Sequence, residues 1–309
     1  MTSVNRAPAS ATVSPKRGPA GAYPDDLQQV VERELDALTF TEEPGIGRLV
    51  EAMRYSLLAG GKRIRPVLAL ATARSIGRDE HEFLPLATAL ELIHTYSLIH
   101  DDLPAMDDDD MRRGRPTAHV AYGEDVAILA GDALYAEAFR HVLDHQRGEP
   151  ADILAAMAEL AAATGVNGMV GGQFLDIAGE QQTAVDLRRL HGLKTGRLIC
   201  ASVECVLLVA GMSRPDTSAY REFASELGVL FQIVDDILDV TGTDAALGKP
   251  QGSDERHGKR TYVSEFGLDG ARELAERSHR QARGSLASAA PDGAVELEQI
   301  TDFIATRTS

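Results

Sequence analysis

The segment of residues 86–100 limits the fold more than any other part of the chain. Its sequence, LATALELIHTYSLIH, is apolar on nearly every face of a helix, as expected of a helix buried inside a bundle. Residues 219–240 repeat that character, residues 25–38 carry one apolar stripe at three- and four-residue steps, and residues 269–287 are charged and amphipathic. Residues 151–164 are rich in good helix formers.

Strand patterns are missing from the sequence. No stretch alternates apolar and polar residues with a period of two, and no short strands recur at regular spacing. We therefore predict an all-α fold, a large single-domain bundle of about ten helices that covers residues 25–309. Residues 1–24, rich in Pro, Ala, Ser and Gly, are predicted to form a disordered tail. A transit peptide is the weaker alternative for this acid-free segment.

Composition narrows the possible partners. The 309 residues include 47 acidic and 31 basic side chains, a formal net charge of −16, which excludes nucleic-acid binding through a general basic field. Cys200 and Cys205 lie in one apolar stretch and cannot form a disulfide framework, so we expect a reducing compartment, the cytoplasm. No uncharged apolar run approaches the ~18 residues of a membrane helix, which predicts no membrane span.

The aspartates of the segment Asp235-Asp236-Ile-Leu-Asp239 form a candidate metal site within an apolar stretch. Asp235 and Asp239 are four residues apart and share one helix face. Carboxylates among apolar neighbours repel each other and are costly to desolvate. A divalent cation would compensate them, and Mg²⁺ prefers such oxygen ligands.

A second acidic cluster, residues 101–110, directly follows the buried helix. Asp101 and Asp107 do not align on a straight helix, so we expect Pro104 to break the helix and let both carboxylates face one ion. The run Asp108–Asp110 is expected to be solvated. Neither cluster has the alternating ligands and central Gly of an EF-hand, which excludes that kind of calcium site.

Basic residues stand beside glycines and beside the acidic clusters. They occur in the segments GGKRIRP (60–66), RRG (112–114) and KTG (194–196), and at Lys249 and Lys259. Arg and Lys bind phosphate oxygens, and flanking glycines let the backbone approach. The GGKR segment lacks the spacing of a Walker loop. Acid and base together predict a site for a diphosphate that Mg²⁺ bridges to the protein, with hydrocarbon as the rest of the ligand.

In this order the motifs resemble those of the short-chain trans-isoprenyl diphosphate synthases, the polyprenyl synthetase family, and most closely its bacterial farnesyl diphosphate synthases. The matching segments are GGKRIRP (60–66), DDLPAMDDDDMRRGRPT (101–117), GGQFLD (171–176), KTG (194–196), FQIVDDILD (231–239) and LGK (247–249). The resemblance implies a bundle around a central apolar cavity, a homodimer, and a prenyltransferase that joins isopentenyl diphosphate to an allylic diphosphate.

The resemblance also implies roles for individual residues. Magnesium, three ions per active site, would be held by Asp101, Asp107 and Asp235, with Asp102 and Asp239 as further ligands. Isopentenyl diphosphate would be bound by Lys62, Arg65, His94 and Arg113. The allylic diphosphate, dimethylallyl or geranyl, would be bound by Arg112, Lys194, Thr195, Gln232, Lys249 and Lys259. Catalysis would depend on Asp101, Asp107, Asp235, Arg112 and Lys194.

Product length is expected to depend on Tyr96 and Ser97, the positions five and four residues before Asp101, which form the chamber floor in this family. The bulk of Tyr96 predicts farnesyl diphosphate, with geranylgeranyl diphosphate as the alternative. A class I terpene cyclase is disfavoured because it needs no second diphosphate pocket. A non-catalytic partner subunit is disfavoured because both Asp motifs are intact.

Overall fold

The computed structural model describes residues 23–177, 187–242 and 259–307. Within them the chain forms thirteen α-helices and one two-stranded hairpin, which confirms the all-α prediction. The helices are α1 Asp25–Ala37, α2 Gly47–Leu57, α3 Ile64–Ser75, α4 Leu84–Asp101, α5 Ala118–Tyr122, α6 Glu124–His145, α7 Pro150–Thr164, α8 Met169–Ile177, α9 Leu187–His191, α10 Arg197–Val209, α11 Ser218–Thr241, α12 Tyr262–Ala289 and α13 Val295–Thr306. A 3₁₀ turn, Glu80–Phe83, precedes α4, and a π-helical turn, Gly192–Gly196, joins α9 to α10.

Helix α4 is the buried helix predicted from its uniform apolarity. It packs against α3 and α6, and Leu86, Leu90 and Ile93 are completely buried. The face that carries His94, Ser97 and Asp101 opens instead onto a cavity. A helix that is apolar all round can therefore serve both as core and as the wall of an internal chamber.

The chain reverses direction just after α4 and so brings its acidic residues together. The helix ends at Asp101, and the backbone N–H of Asp107 donates to the carbonyl of Asp101 at 2.9 Å. Strands β1 (Met111–Arg112) and β2 (Arg115–Pro116) follow as an antiparallel hairpin. Both turn residues, Arg113 and Gly114, have positive φ (53° and 72°), as in a two-residue primed turn. The sequence patterns did not predict this hairpin, which is too short to show alternation.

Helix α11 carries the second Asp motif through the bundle. It packs along α12 and also against α10, which in turn packs against α7 and α3. The buried side chains Phe223, Leu227 and Leu230 recur at three- and four-residue steps and anchor α11 to the core. One face of its C-terminal half is thereby fixed opposite the end of α4.

The segment predicted as a tail ends in an ordered contact. Of residues 1–24 the structure describes Tyr23 and Pro24, and both are buried. The Tyr23 hydroxyl donates to the carbonyl of Lys62 at 2.7 Å, and its ring lies 4.8 Å from that of Phe303. The packed part of the chain thus begins no later than Tyr23, two residues before α1.

One stretch in the described residues, Pro150–Ile177, is long and apolar enough to cross a membrane by length and composition alone, with a mean hydropathy of 1.5. The stretch is not an uncharged run, because it contains Asp152 and Glu159. The chain bends between α7 and α8 within this stretch, and α7 packs against α10. It is weak evidence for a membrane segment, since core helices meet the same criteria.

Candidate active site

A cavity of about 480 Å³ lies between the end of α4, the hairpin, α8, the π-helical turn and α11. Most of the residues that the sequence analysis assigned to the active site line this cavity. The predicted residues on its wall are Arg65, His94, Tyr96, Ser97, Asp101, Asp107, Arg112, Arg113, Lys194, Thr195, Gln232, Asp235 and Lys259. These residues are far apart in the sequence, and the fold gathers both acidic motifs and both groups of cations around one space.

Three predicted residues lie off this wall. The carboxylate of Asp102 is 3 % exposed and accepts hydrogen bonds from Arg112 Nε at 2.7 and 2.9 Å. Asp239 is buried in α11, and Lys62 is exposed at the surface, its ammonium 5.3 Å from the ring of Phe303. Lys249, predicted as a diphosphate ligand, lies outside the described residues.

The acidic end of the cavity is formed by Asp101 and Asp107. Burial raises the pKa of Asp101 to about 6; the charge of Lys194 opposes that shift and the charge of Asp107 adds to it. The Asp107 carboxylate accepts a hydrogen bond from Lys259 Nζ at 2.9 Å. The neighbouring cations do not fully offset the cost of burying the Asp101 carboxylate, and a metal cation bound beside it would favour its ionised form.

The π-helical turn places Lys194 and Thr195 on the opposite wall. Lys194 Nζ donates to Asp176 Oδ2 at 2.5 Å, and although burial opposes its charge, Asp176 and Asp101 raise its pKa. Helix α8 comes close enough for this pair because Gly172 packs directly against the backbone of Lys194, where any side chain would clash. Local π-helical turns of this kind are frequent at functional sites.

A second group of cations, Arg65 and Arg113, lines the same cavity. Burial lowers the pKa of Arg65 to about 10, against the raising effect of Glu91 and Asp235. Burial also lowers the pKa of Arg113, and burial together with the nearby Arg65 and Arg113 holds the pKa of His94 well below its usual value. His94 is therefore a neutral hydrogen-bonding group at pH 7. An anion that binds in the cavity would stabilise the charged form of both arginines.

The loop before α3 is fixed by residues that the sequence analysis did not single out. Arg63 is completely buried and donates to Glu91 Oε1 at 2.6 Å, to Glu32 Oε1 at 2.8 Å and to the carbonyl of Leu57 at 2.8 Å. Gln28 Nε2 donates to the carbonyl of Gly61 at 2.9 Å. The sequence shows Arg63 as one of the three cations in GGKRIRP, but the direction of its side chain depends on the φ of 53° at Arg63.

Comparison with known proteins agrees with this arrangement. A family model described as polyprenyl synthetase matches residues 47–290. The chain belongs to the polyprenyl synthetase family.

Its relatives make products of different length. This polyprenyl synthetase is 45% identical over 287 residues to the farnesyl diphosphate synthase of Geobacillus stearothermophilus, covering 92% of this chain and 96% of that one. It is 44% identical over 281 residues to the chloroplastic geranylgeranyl pyrophosphate synthase of Capsicum annuum, covering 90% and 76%. A crystal structure of geranyltransferase from Helicobacter pylori, complexed with magnesium and isoprenyl diphosphate, superposes with a TM-score of 0.78 at 31% identity, covering 91% and 94%. The chain is thus a trans-prenyl diphosphate synthase.

Aromatic rings surround Tyr96 on the cavity wall of this synthase. The ring of Tyr96 meets Tyr135 of α6 edge-on at 4.9 Å and His100 at 5.5 Å. The Tyr135 hydroxyl lies 3.1 Å from Thr164 Oγ1 in α7, so two further helices support this part of the wall. Burial raises the pKa of Tyr96 to about 12, which keeps the phenol neutral.

The donor set suits magnesium. Asp101, Asp107 and Asp235 offer carboxylate oxygens on the cavity wall, the ligand type that Mg²⁺ prefers. In the described residues, the one group of three metal-binding side chains within 4.8 Å of one another is Asp79, Glu80 and His81. The cavity aspartates are more widely spaced, as expected where Mg²⁺ takes one or two carboxylates and completes its shell with water and phosphate oxygens.

Two further contacts were not foreseen from the sequence. Arg307, just beyond α13, lies with its guanidinium 4.3 Å from the ring of Phe231 and with Nη2 3.2 Å from Asp235 Oδ1. Asp236, the middle acid of the second motif, accepts hydrogen bonds from Gln232 and from the backbone of Tyr262. No local pattern marks Arg307, because its partner is 72 residues away.

Proposed function

We propose that this polyprenyl synthetase condenses isopentenyl diphosphate with dimethylallyl or geranyl diphosphate to form farnesyl diphosphate, in a Mg²⁺-dependent reaction in the cytoplasm. One observation carries the proposal: a single cavity is lined by aspartates of both motifs, by Arg112, Lys194 and Lys259, and by a second group of cations that includes Arg65 and Arg113. Two anionic substrates need two such groups, whereas a cyclase needs one.

The acidic and the basic residues of the cavity have different roles in the proposed reaction. Asp101, Asp107 and Asp235 would hold magnesium, three ions when the allylic diphosphate is present, and the metal would act as a Lewis acid toward the departing diphosphate. Arg112, Lys194 and Lys259 stabilise the negative charge that develops there, while Thr195 and Gln232, linked at 3.0 Å, lie beside them. Arg65, Arg113 and neutral His94 orient isopentenyl diphosphate for attack.

The carbon chemistry needs little from the protein beyond exclusion of water. Cleavage of the allylic C–O bond leaves a cation, the double bond of isopentenyl diphosphate attacks it, and a proton is lost to the released diphosphate. The apolar floor around Tyr96 keeps water away from the cation, since water would trap it as an alcohol. No protein base is required.

Product length is the finer part of the proposal. Tyr96 lines the cavity and its ring packs against Tyr135; at the end of the chamber a ring of this bulk would stop the growing chain, which supports a fifteen-carbon product. A geranylgeranyl diphosphate synthase is the second candidate, because the relative from Capsicum annuum is almost as similar as the farnesyl enzyme.

The test is a product assay of the purified protein with Mg²⁺, isopentenyl diphosphate and each allylic starter in turn, analysed by mass spectrometry. We expect farnesyl diphosphate and inorganic diphosphate, abolished by a chelator and by Asp101→Ala combined with Asp235→Ala. A twenty-carbon product would favour the second candidate. A hydrocarbon product, or activity only after addition of a second protein, would contradict the proposal.

We also propose a homodimer. Leu129 and Leu143 on α6 and Leu154 on α7 expose more than half of their surface (56%, 58% and 61%), and an exposed apolar patch of this kind would suit a protein interface. Sedimentation should give twice the chain mass of 33.1 kDa, and Leu154→Glu should shift the protein toward monomer. A monomeric wild type would refute the dimer.

A further inference from the structure

Asp236 stands in the second Asp motif, yet its side chain is engaged by the protein. The residue is 1% exposed. Its Oδ1 accepts a hydrogen bond from Gln232 Nε2 at 2.7 Å, and its Oδ2 accepts one from the backbone N–H of Tyr262 at 2.7 Å. Both oxygens are thus oriented by donors of the protein, and turning the carboxylate toward a metal would break these bonds and leave the buried N–H of Tyr262 without an acceptor, which is costly.

The bond to Tyr262 caps a helix to which Asp236 does not belong. Tyr262 is the first residue of α12, where backbone N–H groups have no partner within the helix. A carboxylate there also interacts favourably with the helix dipole. The cap matters because the regular helix is short at this end: Gly267 has φ 71°, which interrupts the helical dihedrals. The ring of His191 stacks on Tyr262 at 5.5 Å and supports the same point.

Lys259 lies just before this cap. Its ammonium donates to Asp107 Oδ2 at 2.9 Å, and residues 259–261 form part of the cavity wall. The Lys259 backbone is three residues from Tyr262. The position of the first turn of α12 therefore limits how far into the cavity the Lys259 ammonium extends. A capping box of Thr261 and Ser264 sets where α12 begins, and the hydrogen bond that Asp236 accepts from the Tyr262 N–H fixes that point relative to α11.

We infer that Asp236 is a positioning residue that holds Lys259 at the allylic diphosphate by capping α12, rather than a ligand of magnesium. The inference rests on the proposed function for the identity of the diphosphate. The geometry of the cap itself does not depend on it. A chain of hydrogen bonds from Thr195 through Gln232 to Asp236 and Tyr262 thus ties the π-helical turn, α11 and α12 together.

The first experiment compares Asp236→Asn with Asp236→Ala in steady-state kinetics. Asparagine can still accept from Tyr262, and a rotated Gln232 amide can pair with its NH₂ group, so kcat/KM for the allylic substrate should stay within about threefold of wild type. Alanine removes both bonds, and we expect kcat/KM to fall by about tenfold to a hundredfold. An equal loss in both variants would indicate a metal ligand or a required charge, and would overturn the inference.

A double-mutant cycle with Lys259→Ala tests whether the effect passes through the lysine. If Asp236 acts by placing Lys259, then Asp236→Ala should cost less than half as much, in logarithmic units, in the Lys259→Ala background. Additive effects would contradict the inference. Should Asp236→Ala fail to fold, Tyr262→Pro deletes the same bond from the donor side, at a helix position that accepts proline. That variant should show the same loss, and full activity would contradict the inference.

Hydrogen exchange of the metal-free protein gives a readout that does not involve activity. The Tyr262 amide should exchange about tenfold faster or more in Asp236→Ala, and near the wild-type rate in Asp236→Asn. Ser278→Ala is the matched control, because it removes another contact between the same helices, Ser278 Oγ to Glu226 at 3.5 Å, and should leave Tyr262 exchange and kinetics unchanged. Unchanged exchange in Asp236→Ala would refute the cap. An inactive wild type with the expected exchange pattern would refute the proposed function alone.

Discussion

The guanidinium of Arg63 and the carboxylate of Glu91 form an ion pair inside the protein, 2.6 Å apart, with side-chain exposures of 0% and 1%. The pair joins the loop before α3 to the middle of α4, one turn before His94. Although burial opposes its charge, Glu91 and Glu32 raise the pKa of Arg63, so the arginine is charged throughout the physiological range. The pair therefore fixes the backbone from which Lys62 and Arg65 extend.

Removing one partner of this pair should destabilise the protein strongly. Arg63→Met leaves Glu91 charged and buried without its partner, and we expect a loss of about 3–5 kcal/mol in the free energy of unfolding, measured by urea denaturation. The double variant Arg63→Met with Glu91→Leu should recover most of that loss, because no buried charge remains. The double variant should still raise KM for isopentenyl diphosphate, because Lys62 and Arg65 extend from the loop that the ion pair fixes. Its KM for the allylic substrate should not change. A double variant as unstable as the single one would contradict this account.

The two outer aspartates of the second motif should differ in their effect on activity. Asp235 lines the cavity, with its side chain 54% exposed, whereas Asp239 is buried off the cavity wall. Asp235→Asn should reduce kcat by about a hundredfold or more, as expected for loss of a transition-state contact. Asp239→Asn should reduce it by less than about tenfold, and its main effect should appear in thermal stability. Equal losses in kcat would place Asp239 among the metal ligands.

Tyr96→Ala should lengthen the product. The Tyr96 ring lines the cavity and packs against Tyr135 at 4.9 Å, and its removal should open space for a longer chain. Mass spectrometry should show products of twenty carbons or more at the expense of farnesyl diphosphate. Tyr135→Phe is the control, since it keeps the supporting ring and loses only the contact with Thr164 at 3.1 Å. An unchanged product spectrum in Tyr96→Ala would remove Tyr96 from the role of floor.

Stability should fall in mild acid partly because of His141. Burial lowers the pKa of this histidine from 6.5 to about 4, with smaller contributions from His145 and Arg140. Its pKa in the folded protein is thus below the unfolded value, so the unfolded chain binds more protons as the pH falls from 6.5 toward about 4, and the free energy of unfolding decreases in that window.

His141→Gln should therefore flatten the pH dependence of unfolding between pH 6.5 and about 4. The difference between variant and wild type isolates this residue from Asp101, whose raised pKa acts in the opposite direction. Urea denaturation at several pH values provides the measurement. Parallel curves for the two proteins would show that His141 does not contribute.

The sequence anticipated the helices well because their signals are local. The uniform apolarity of residues 86–100 reports burial on all sides, and α4 extends from Leu84 to Asp101 as a core helix. The stripe from Leu27 to Leu35 gives α1. The hairpin at Met111–Pro116 was missed because its strands have two residues each, fewer than any alternation needs.

For the candidate site, residue type was easier to predict than residue position. Asp235 and Asp239 share a face of α11 by periodicity, but of the two only Asp235 lines the cavity, and Asp239 is buried. Asp102, predicted as a further metal ligand, has its carboxylate paired with Arg112. That pairing is set by the hairpin turn, which the sequence patterns did not reveal.

The sequence by itself determined that the chain is a helical bundle with two acidic motifs, several cations and an apolar interior, since periodicity, composition and motif order are properties of neighbouring residues. The tertiary structure decided which of those charges meet. Whether Arg63 points into the core, whether Asp236 caps α12, and whether Arg307 reaches Asp235 depend on contacts between residues 26 to 72 positions apart or on a single backbone dihedral. Such contacts form only when the helices pack. Packing removes water from a charged group, and the protein groups that replace this water then determine where the charged group lies.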